Sequence, residues 1–288
     1  MVTINNVFNN ENMTCIASAG PFFVYEHQND LSVTPTGAPN AYFMKEMNVR
    51  KRQVLAQLNG NAIKVQAGAM QWMTGNVEMN ANVGGVGGFF SKAVKGAVTG
   101  ESAVKPIYQG QGFVMLEPTY KFILLEDVGQ WGPQGMVLDD GLFFACDASL
   151  QENVVRRQNV SSALLGGEGL FNLCLTGNGM AVLESPVPRQ ELFEFVLQDD
   201  VVKIDGNMAI AWSGSLQFTV EKSTKSILGS GLSGEGLLNV YRGTGRILMA
   251  PTMQGTLNVS TNGPEQTSAN AGGNATAAST IASSIFGN

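Results

Sequence analysis

Apolar and polar residues alternate along several stretches of the chain. Residues 171–176 and residues 216–221 both follow this pattern, in which every second residue is apolar. A period of two residues is typical of β-strands that bury one face and leave the other in water. We therefore predict strands with one solvated face at both places.

Turn signals lie between such runs. Asn-Gly occurs at 59–60, and Asp-Gly occurs at 140–141 and 205–206. These dipeptides favour the tight turns of β-hairpins, so we predict a hairpin at each of them. The chain also holds 35 glycines but only 10 prolines, which is typical of short elements joined by tight turns. The predicted fold class is all-β, as a sandwich or a barrel.

One phrase occurs three times along the chain. GEGLFNLCLTGNG begins at Gly167, GEGLLNVYRGTG begins at Gly234, and a weaker copy, GESAVKPIYQGQG, begins at Gly100. We interpret the glycines as turns before and after one strand, and the glutamate as a repeated structural contact between units. A ligand site shared by the three copies is the alternative. The predicted structural joints are Gly100, Glu101, Gly167, Glu168, Gly234 and Glu235.

The recurrence divides the chain into segment 1 (50–118), segment 2 (119–185) and segment 3 (186–252). The stretch AIKVQAGAMQWMTG of segment 1 resembles VVKIDGNMAIAWSG of segment 3, which gives Trp72 and Trp212 matching positions. We predict three β units in a pseudo-threefold arrangement that share burial, because each is close to the smallest size that supports a core. Residues 1–49 are predicted to contribute further strands, and the low-complexity residues 253–288 to form a disordered tail.

Composition and charge limit the classes of molecule that this protein is expected to bind. Hydrophobic residues make up 44% of the chain and charged residues 14%, enough apolar material for a sizeable core. The net charge of −6 and the pI near 4.9 make nucleic acid an unlikely partner. For the one basic run, at 50–52, we favour a solvated strand edge or turn over a phosphate contact.

Cysteine usage and the N-terminus bear on localisation. Cys15, Cys146 and Cys174 are odd in number and widely spaced, which predicts free, mostly buried thiols in a reducing compartment. The N-terminus has no targeting pattern, and no apolar run is long enough to span a membrane. We expect a cytoplasmic protein, with membrane association left open.

Candidate catalytic groups are few. His27 is the one histidine, so neither a histidine-rich metal site nor a nucleophile activated by histidine is predicted. Asp139-Asp140 and Asp199-Asp200 are assigned to corresponding turns of two segments. We favour solvated turns there over cation binding or acid–base chemistry. No catalytic, cofactor-binding or metal-binding residue is predicted.

The glycine-rich stretch 84–102 is the candidate contact region. Within it, FFSKAVKGAV would place Phe90, Val94 and Ala97 on one face of a short helix, with the lysines directed away. Packing against the sandwich is the favoured interpretation, and contact with a partner or a membrane surface is the alternative. The candidate contact residues are Phe89, Phe90, Lys92, Val94 and Lys95.

A family resemblance rests on the order of these motifs. AGAMQWMTGNVEM, a glycine-rich stretch, GQGFVMLEP and GEGLFNLCLTGNGMAVL, over about residues 50–252, resemble the family typified by the altered-inheritance-of-mitochondria proteins and their bacterial relatives. The resemblance implies a fold like that of the tryptophan RNA-binding attenuation protein (TRAP-like), a short double-stranded β-helix. The role of the mitochondrial relatives in inner-membrane organisation is not carried over, because no arginine-rich transit segment is present.

These observations favour a non-enzymatic scaffold or assembly protein, with self-association or another protein as its partner and with a peripheral membrane contact left open. The alternative is a binding module for a small or lipidic ligand. RNA binding, by analogy with the attenuation protein, is disfavoured by the acidic charge.

Overall fold

The computed structural model describes residues 2–80, 105–156, 171–206, 208–222 and 237–252, which are mostly β-strand with one short α-helix, α1 (Ala38–Glu46). The all-β fold class is therefore confirmed. The strands are β1 Met13–Ala19, β2 Phe22–His27, β3 Arg52–Val65, β4 Met70–Asn80, β5 Ile107–Leu116, β6 Phe122–Asp127, β7 Met136–Leu138, β8 Phe143–Asp147, β9 Gln151–Arg156, β10 Phe171–Thr176, β11 Met180–Ser185, β12 Phe193–Asp205, β13 Ala209–Ser213, β14 Gln217–Lys222 and β15 Leu237–Met249.

The strands form two sheets. The first has eight strands, in the order β1-β2-β3-β8-β11-β6, with β5 pairing both β3 and β4. The second has seven, in the order β12-β15-β13-β7-β10-β9, with β14 also pairing β15. The first sheet curls, so that β1 at one end comes into contact with β6 at the other.

Each segment has three strand positions in chain order, some of them formed by two successive strands. The first strand is β3, β6–β7 or β12, the second is β4, β8–β9 or β13–β14, and the third is β5, β10–β11 or β15. Within each segment the third strand lies between the first and the second. In segment 1, β5 pairs with both β3 and β4. In segment 2, β10 and β11 pair with β7 and β6 on one side and with β9 and β8 on the other. In segment 3, β15 pairs with β12 on one side and with β13 and β14 on the other.

This order makes the three hairpin predictions wrong. Asn59-Gly60 lies inside β3, where the register shifts between Asn59 and Ala62. The Asp-Gly turns at 140–141 and 205–206 do connect successive strands, but those strands pair with the third strand of the segment and not with each other. The two Asp-Gly turns reverse the chain. The strand that lies between the two strands they connect comes from later in the sequence.

Two ladders connect the segments. At the first junction β3 of segment 1 pairs with β8 of segment 2, with Lys64 opposite Cys146. At the second junction β7 of segment 2 pairs with β13 of segment 3, with Val137 opposite Trp212. Both sheets therefore run from one segment into the next.

Three of the four hydrophobic clusters among the described residues contain residues of two segments. Ala145 and Val182 of segment 2 belong to the cluster of segment 1. Ala211 and Leu248 of segment 3 belong to the cluster of segment 2. Burial of apolar surface is the main stabilising contribution to folding, so the segments support one another.

Strand β10 differs from the prediction of one solvated face. Asn172 and Cys174, on the face predicted to be wet, are 2% and 3% exposed. The Asn172 amide nitrogen donates a hydrogen bond to the Leu138 carbonyl at 3.0 Å. The face is buried because Cys174 joins the cluster of segment 3, a contact that local periodicity does not encode.

Candidate functional site

The residues predicted to carry function lie outside the described part of the chain. These are the candidate contact residues Phe89, Phe90, Lys92, Val94 and Lys95, and the six joints Gly100, Glu101, Gly167, Glu168, Gly234 and Glu235. The tail 253–288 lies outside it as well. All of these stay predictions.

The strand ends that flank these stretches are paired in all three segments. The last residue of the second strand lies opposite a residue at or near the start of the third. The pairs are Asn80 with Ile107, Arg156 with Phe171 and Lys222 with Leu237. Each stretch that contains a joint thus connects the second and third strands of its segment.

The interpretation of the basic run at 50–52 as a solvated strand edge or turn is wrong for Arg52. The Arg52 side chain is only 2% exposed, and its Nη2 lies 2.7 Å from Glu26 Oε2. Its guanidinium carbon lies 4.1 Å from the centre of the Phe122 ring. Arg50 Nη1 contacts the other oxygen of the same carboxylate at 3.1 Å. Both arginines thus bind the carboxylate of Glu26, which lies near the end of β2.

The third residue of the run is also matched by a carboxylate. Lys51 Nζ donates to Asp30 Oδ1 at 2.9 Å, and the Tyr120 hydroxyl donates to Asp30 Oδ2 at 2.8 Å. Hydrogen bonds from Lys51, Ser32 and Tyr120 hold the pKa of Asp30 well below its usual range. The three cations are thus engaged within the protein, and a phosphate contact would have to displace these carboxylates.

Two of the three thiols are buried, and the histidine has a side-chain partner. Burial raises the pKa of Cys146 to about 12 and that of Cys174 to about 11, so both stay protonated and unreactive at neutral pH. Cys15 is exposed, and all three thiols are free, so the prediction of free, mostly buried thiols is confirmed. His27 Nε2 lies 2.8 Å from Gln53 Oε1 at the end of β2. Among the described residues no group of three or more potential metal ligands occurs.

The two aspartate pairs do not occupy corresponding turns. Asp139-Asp140 follows β7, whereas Asp199-Asp200 lies inside β12, at the register shift between Leu197 and Asp200. Asp200 Oδ1 accepts a hydrogen bond from the Val201 backbone nitrogen at 2.7 Å. The correspondence read from the sequence was wrong because a one-dimensional match does not locate an irregularity within a strand.

The two tryptophans are offset by one position. Trp72 lies opposite Met115, the fifth residue after Gly110, whereas Trp212 lies opposite Ile247, the fourth after Gly243. Neighbouring strand residues point to opposite faces. Trp72 therefore packs on the outer cluster of segment 1, and Trp212 packs in the core of segment 3. The residue that matches Trp212 is Met73.

Strand pairing identifies the equivalent positions on the first strands. One residue in each segment pairs with the third strand three residues before the repeated glycine. These equivalent residues are Lys64, Val137 and Lys203, opposite Ile107, Cys174 and Val240. The first two are the central residues of the two junctions.

The second strands have an equivalent set. One residue in each segment pairs with the third strand four residues after the repeated glycine. These are Met73, Cys146 and Trp212, opposite Val114, Ala181 and Ile247. Cys146 and Trp212 are the junction partners of Lys64 and Val137. One residue of each set, Lys203 and Met73, is left without a junction partner in the described ranges.

These two positions mark the candidate functional site. The β12 edge (200–205) and the β4 edge (70–74) pair on one side only, with β15 and β5, as far as the described residues extend. Met73 is 41% exposed, whereas its equivalents Cys146 and Trp212 are 0% and 4% exposed. An unpaired strand edge presents main-chain donors and acceptors that another strand can bind.

No helix in the described ranges combines the length and the apolar character needed to cross a membrane.

Comparison with known proteins agrees with the family resemblance in the sequence. The crystal structure of a Streptococcus pyogenes protein superposes with a TM-score of 0.52 at 26% identity, covering 72% of this chain and 90% of that one. An uncharacterised protein of Streptococcus pyogenes serotype M6 is 30% identical over 198 residues, which are 66% of this chain and 76% of the relative. The likeness to the attenuation protein stays a prediction.

The sequence model of the family described as Mitochondrial biogenesis AIM24 matches residues 45–252, most of the chain and all three segments. This chain belongs to the AIM24 family.

Proposed function

We propose that this protein is a non-enzymatic scaffold or assembly protein, built from three copies of a TRAP-like β unit and binding protein partners through strand edges. The observation that carries the proposal is the use of one register at both junctions, with the same positions exposed at the β12 and β4 edges. This chain joins its own segments by strand pairing, and the β12 and β4 edges are two further strand edges of the same kind.

The repeat is supported by strand order as well as by sequence. The third strand lies between the first and the second in every segment, and the two junctions are two of the three that a pseudo-threefold body requires. The repeated glycines Gly110, Gly177 and Gly243 all have positive φ, of 136°, 108° and 116°. Positive φ at all three equivalent positions favours copies of one unit over a chance match of glycines.

The non-enzymatic part of the proposal rests on how the polar groups are used. Arg52 and Glu26 stabilise the packing of β2 against β3, and Asp30 holds Lys51 and Tyr120. The buried thiols are held in their protonated form. These groups are engaged in stabilising the fold, which is the pattern expected of a structural protein.

Native mass spectrometry of the full-length protein across a hundredfold concentration range tests the proposal. We expect masses above that of one chain, or a protein partner bound in a fixed ratio. A single chain at every concentration, carrying a small molecule in a fixed ratio, would instead support the ligand-binding alternative. Co-flotation of single chains with anionic vesicles, without any protein complex, would support a lipid-surface role and contradict the proposal.

A further inference from the structure

We propose that the β12 edge of one molecule pairs with the β4 edge of a second copy, which extends the β-sheet from chain to chain, head to tail. The inference rests on the proposed assembly function and specifies its partner. It also specifies the register, in which Lys203 of one copy lies opposite Met73 of the next.

The register follows from the two junctions within the chain. The first pairs Lys64 with Cys146, and the second pairs Val137 with Trp212. Lys203 is the third residue of one equivalent set, and Met73 is the third of the other. The flanking pairs follow from antiparallel pairing, in which one residue number rises as the other falls. They are Val202 opposite Thr74 and Ile204 opposite Trp72.

Exposure at the two edges fits a contact that the isolated chain does not make. At the second junction, β7 is buried throughout and so are all residues of β13. By contrast Val201 on β12 is 44% exposed, and Met73 on β4 is 41% exposed. Pairing of the two edges would bury these apolar side chains and satisfy outward-facing main-chain groups, as in other cases of β-strand addition.

The first residue set has a charged member at the first junction. Lys64 reaches across that junction, where its Nζ lies 3.3 Å from Glu152 Oε1 on β9. Lys203 occupies the equivalent position on β12 and is exposed. Its exposure fits a strand edge that has no neighbour on that side within the described ranges.

Segment 1 shows why the partner is a second copy and not segment 3 of the same chain. A closed body would place segment 3 against the outer face of β3, β5 and β4. In this chain N-terminal residues cover that face instead. Val7 and Met13 pack against its buried residues Leu55 and Met115. A second copy needs only the edges, and it can bind them while this N-terminal cover stays in place.

The contact has consequences for the assembly. It joins two different surfaces, so each copy keeps one free β12 edge and one free β4 edge, and growth does not stop at a dimer. A ladder of about three residue pairs makes a small interface, and small interfaces bind weakly. We expect concentration-dependent oligomers that close into rings or extend as filaments.

Disulfide trapping tests the register and the partner together. Two single variants, Met73→Cys and Lys203→Cys, are each made with Cys15→Ser to remove the exposed thiol, then mixed and oxidised. We expect a covalent dimer of the two chains, with a cross-linked peptide that joins positions 73 and 203. Gln71→Cys mixed with Lys203→Cys is the matched control, two residues out of register, and should give little dimer.

The double variant Met73→Cys/Lys203→Cys separates the two ways of closing the third junction. We expect a ladder of covalent oligomers whose amount rises with concentration. A disulfide formed only within one chain, at all concentrations, would overturn the inference and support a closed pseudo-threefold body. Equal cross-linking of the register control would also overturn it.

Charge at position 73 gives a second measurement without oxidation. Met73→Glu places a carboxylate opposite Lys203 and should tighten self-association roughly two- to fivefold, whereas Met73→Lys should weaken it by a similar factor. Sedimentation equilibrium measures both at a site exposed enough to tolerate either residue. Equal effects of the two variants would contradict the register. Should the native protein instead carry a different protein in a fixed ratio, and these tests fail, the inference falls while the scaffold function stands.

Discussion

At the scale of single residues, the buried ion pair between Arg52 and Glu26 ties β2 to β3. Glu26 is 8% exposed and receives contacts from two arginines, of which Arg52 is the buried one. Removing one partner of a buried pair leaves the other charge without compensation, which costs more than the pair itself contributes. Replacing one partner alone should therefore lower the stability strongly, and replacing the other partner as well should restore part of it.

Arg52→Met is expected to lower the free energy of unfolding by about 3 kcal/mol, because it leaves Glu26 buried with a weaker partner. Arg52→Met combined with Glu26→Leu should recover most of that loss. Urea unfolding followed by circular dichroism gives both values. The control is Lys121→Met, which removes the pair of a half-exposed lysine with Glu184 and should cost less than about 1 kcal/mol. A double variant no more stable than Arg52→Met would contradict this account.

The sequence could not reveal this pair. Three consecutive basic residues are usually solvated, and residue type alone does not distinguish Arg52 from Arg50. The available signal was position, since Arg52 is the first residue of β3 and directly precedes a run of buried residues. The partner Glu26 comes from a different strand, which only the pairing of β2 with β3 brings opposite Arg52.

At the scale of elements, the recurring glycines have positive φ in the third strand of each segment. The sequence predicts that these glycines lie at turns that end a strand. Gly110 and Gly243 lie inside β5 and β15, and only Gly177 falls between two strands, β10 and β11. A Cβ atom at Gly110 would collide with the Asn76 carbonyl oxygen, whereas at Gly243 its nearest neighbour would be 3.8 Å away. One motif is thus under different steric constraints in two segments.

Gly110→Ala is expected to destabilise the protein by about 3 kcal/mol or more, since it adds a steric clash to an unfavourable positive φ. Gly243→Ala has the positive φ without the clash and should cost about 1 kcal/mol. Thermal unfolding of the two variants, with equal far-ultraviolet spectra as the test of folding, measures the difference. Equal losses would show that backbone conformation alone explains the repeat.

Strand content was predictable from the sequence, but strand pairing was not. Alternation identified β14 and β10, and the Asp-Gly pairs at 140–141 and 205–206 identified two places where the chain turns, whereas Asn59-Gly60 lies inside β3. Which strand lies beside which depends on the third strand of each segment, and local turn chemistry holds no information about it. The helix α1 was missed for a related reason: none of its residues is buried, so it has no apolar stripe to detect.

At the scale of the whole molecule, the three segments predicted from the repeat are joined by two sheets and by clusters that cross their boundaries. The segments were predicted from glycine-bearing motifs that recur along the sequence. The sequence could not indicate that the outer face of segment 1 is covered by Val7 and Met13, since neither residue belongs to the repeat. The packing of Val7 and Met13 on segment 1 keeps segment 3 away from the β4 edge. The β12 edge belongs to the last of the three segments.

Shared sheets and clusters predict that the three segments unfold together. Each segment contains one tryptophan, namely Trp72, Trp131 and Trp212, so each can be followed separately once the other two are replaced by Phe. We expect urea midpoints within each single-tryptophan variant to agree between fluorescence and circular dichroism. A segment that loses its neighbour exposes the junction strand and the apolar surface beneath it, which disfavours partly unfolded states. A fluorescence transition of Trp212 that precedes the loss of circular dichroism would show that segment 3, which has only one junction, unfolds independently.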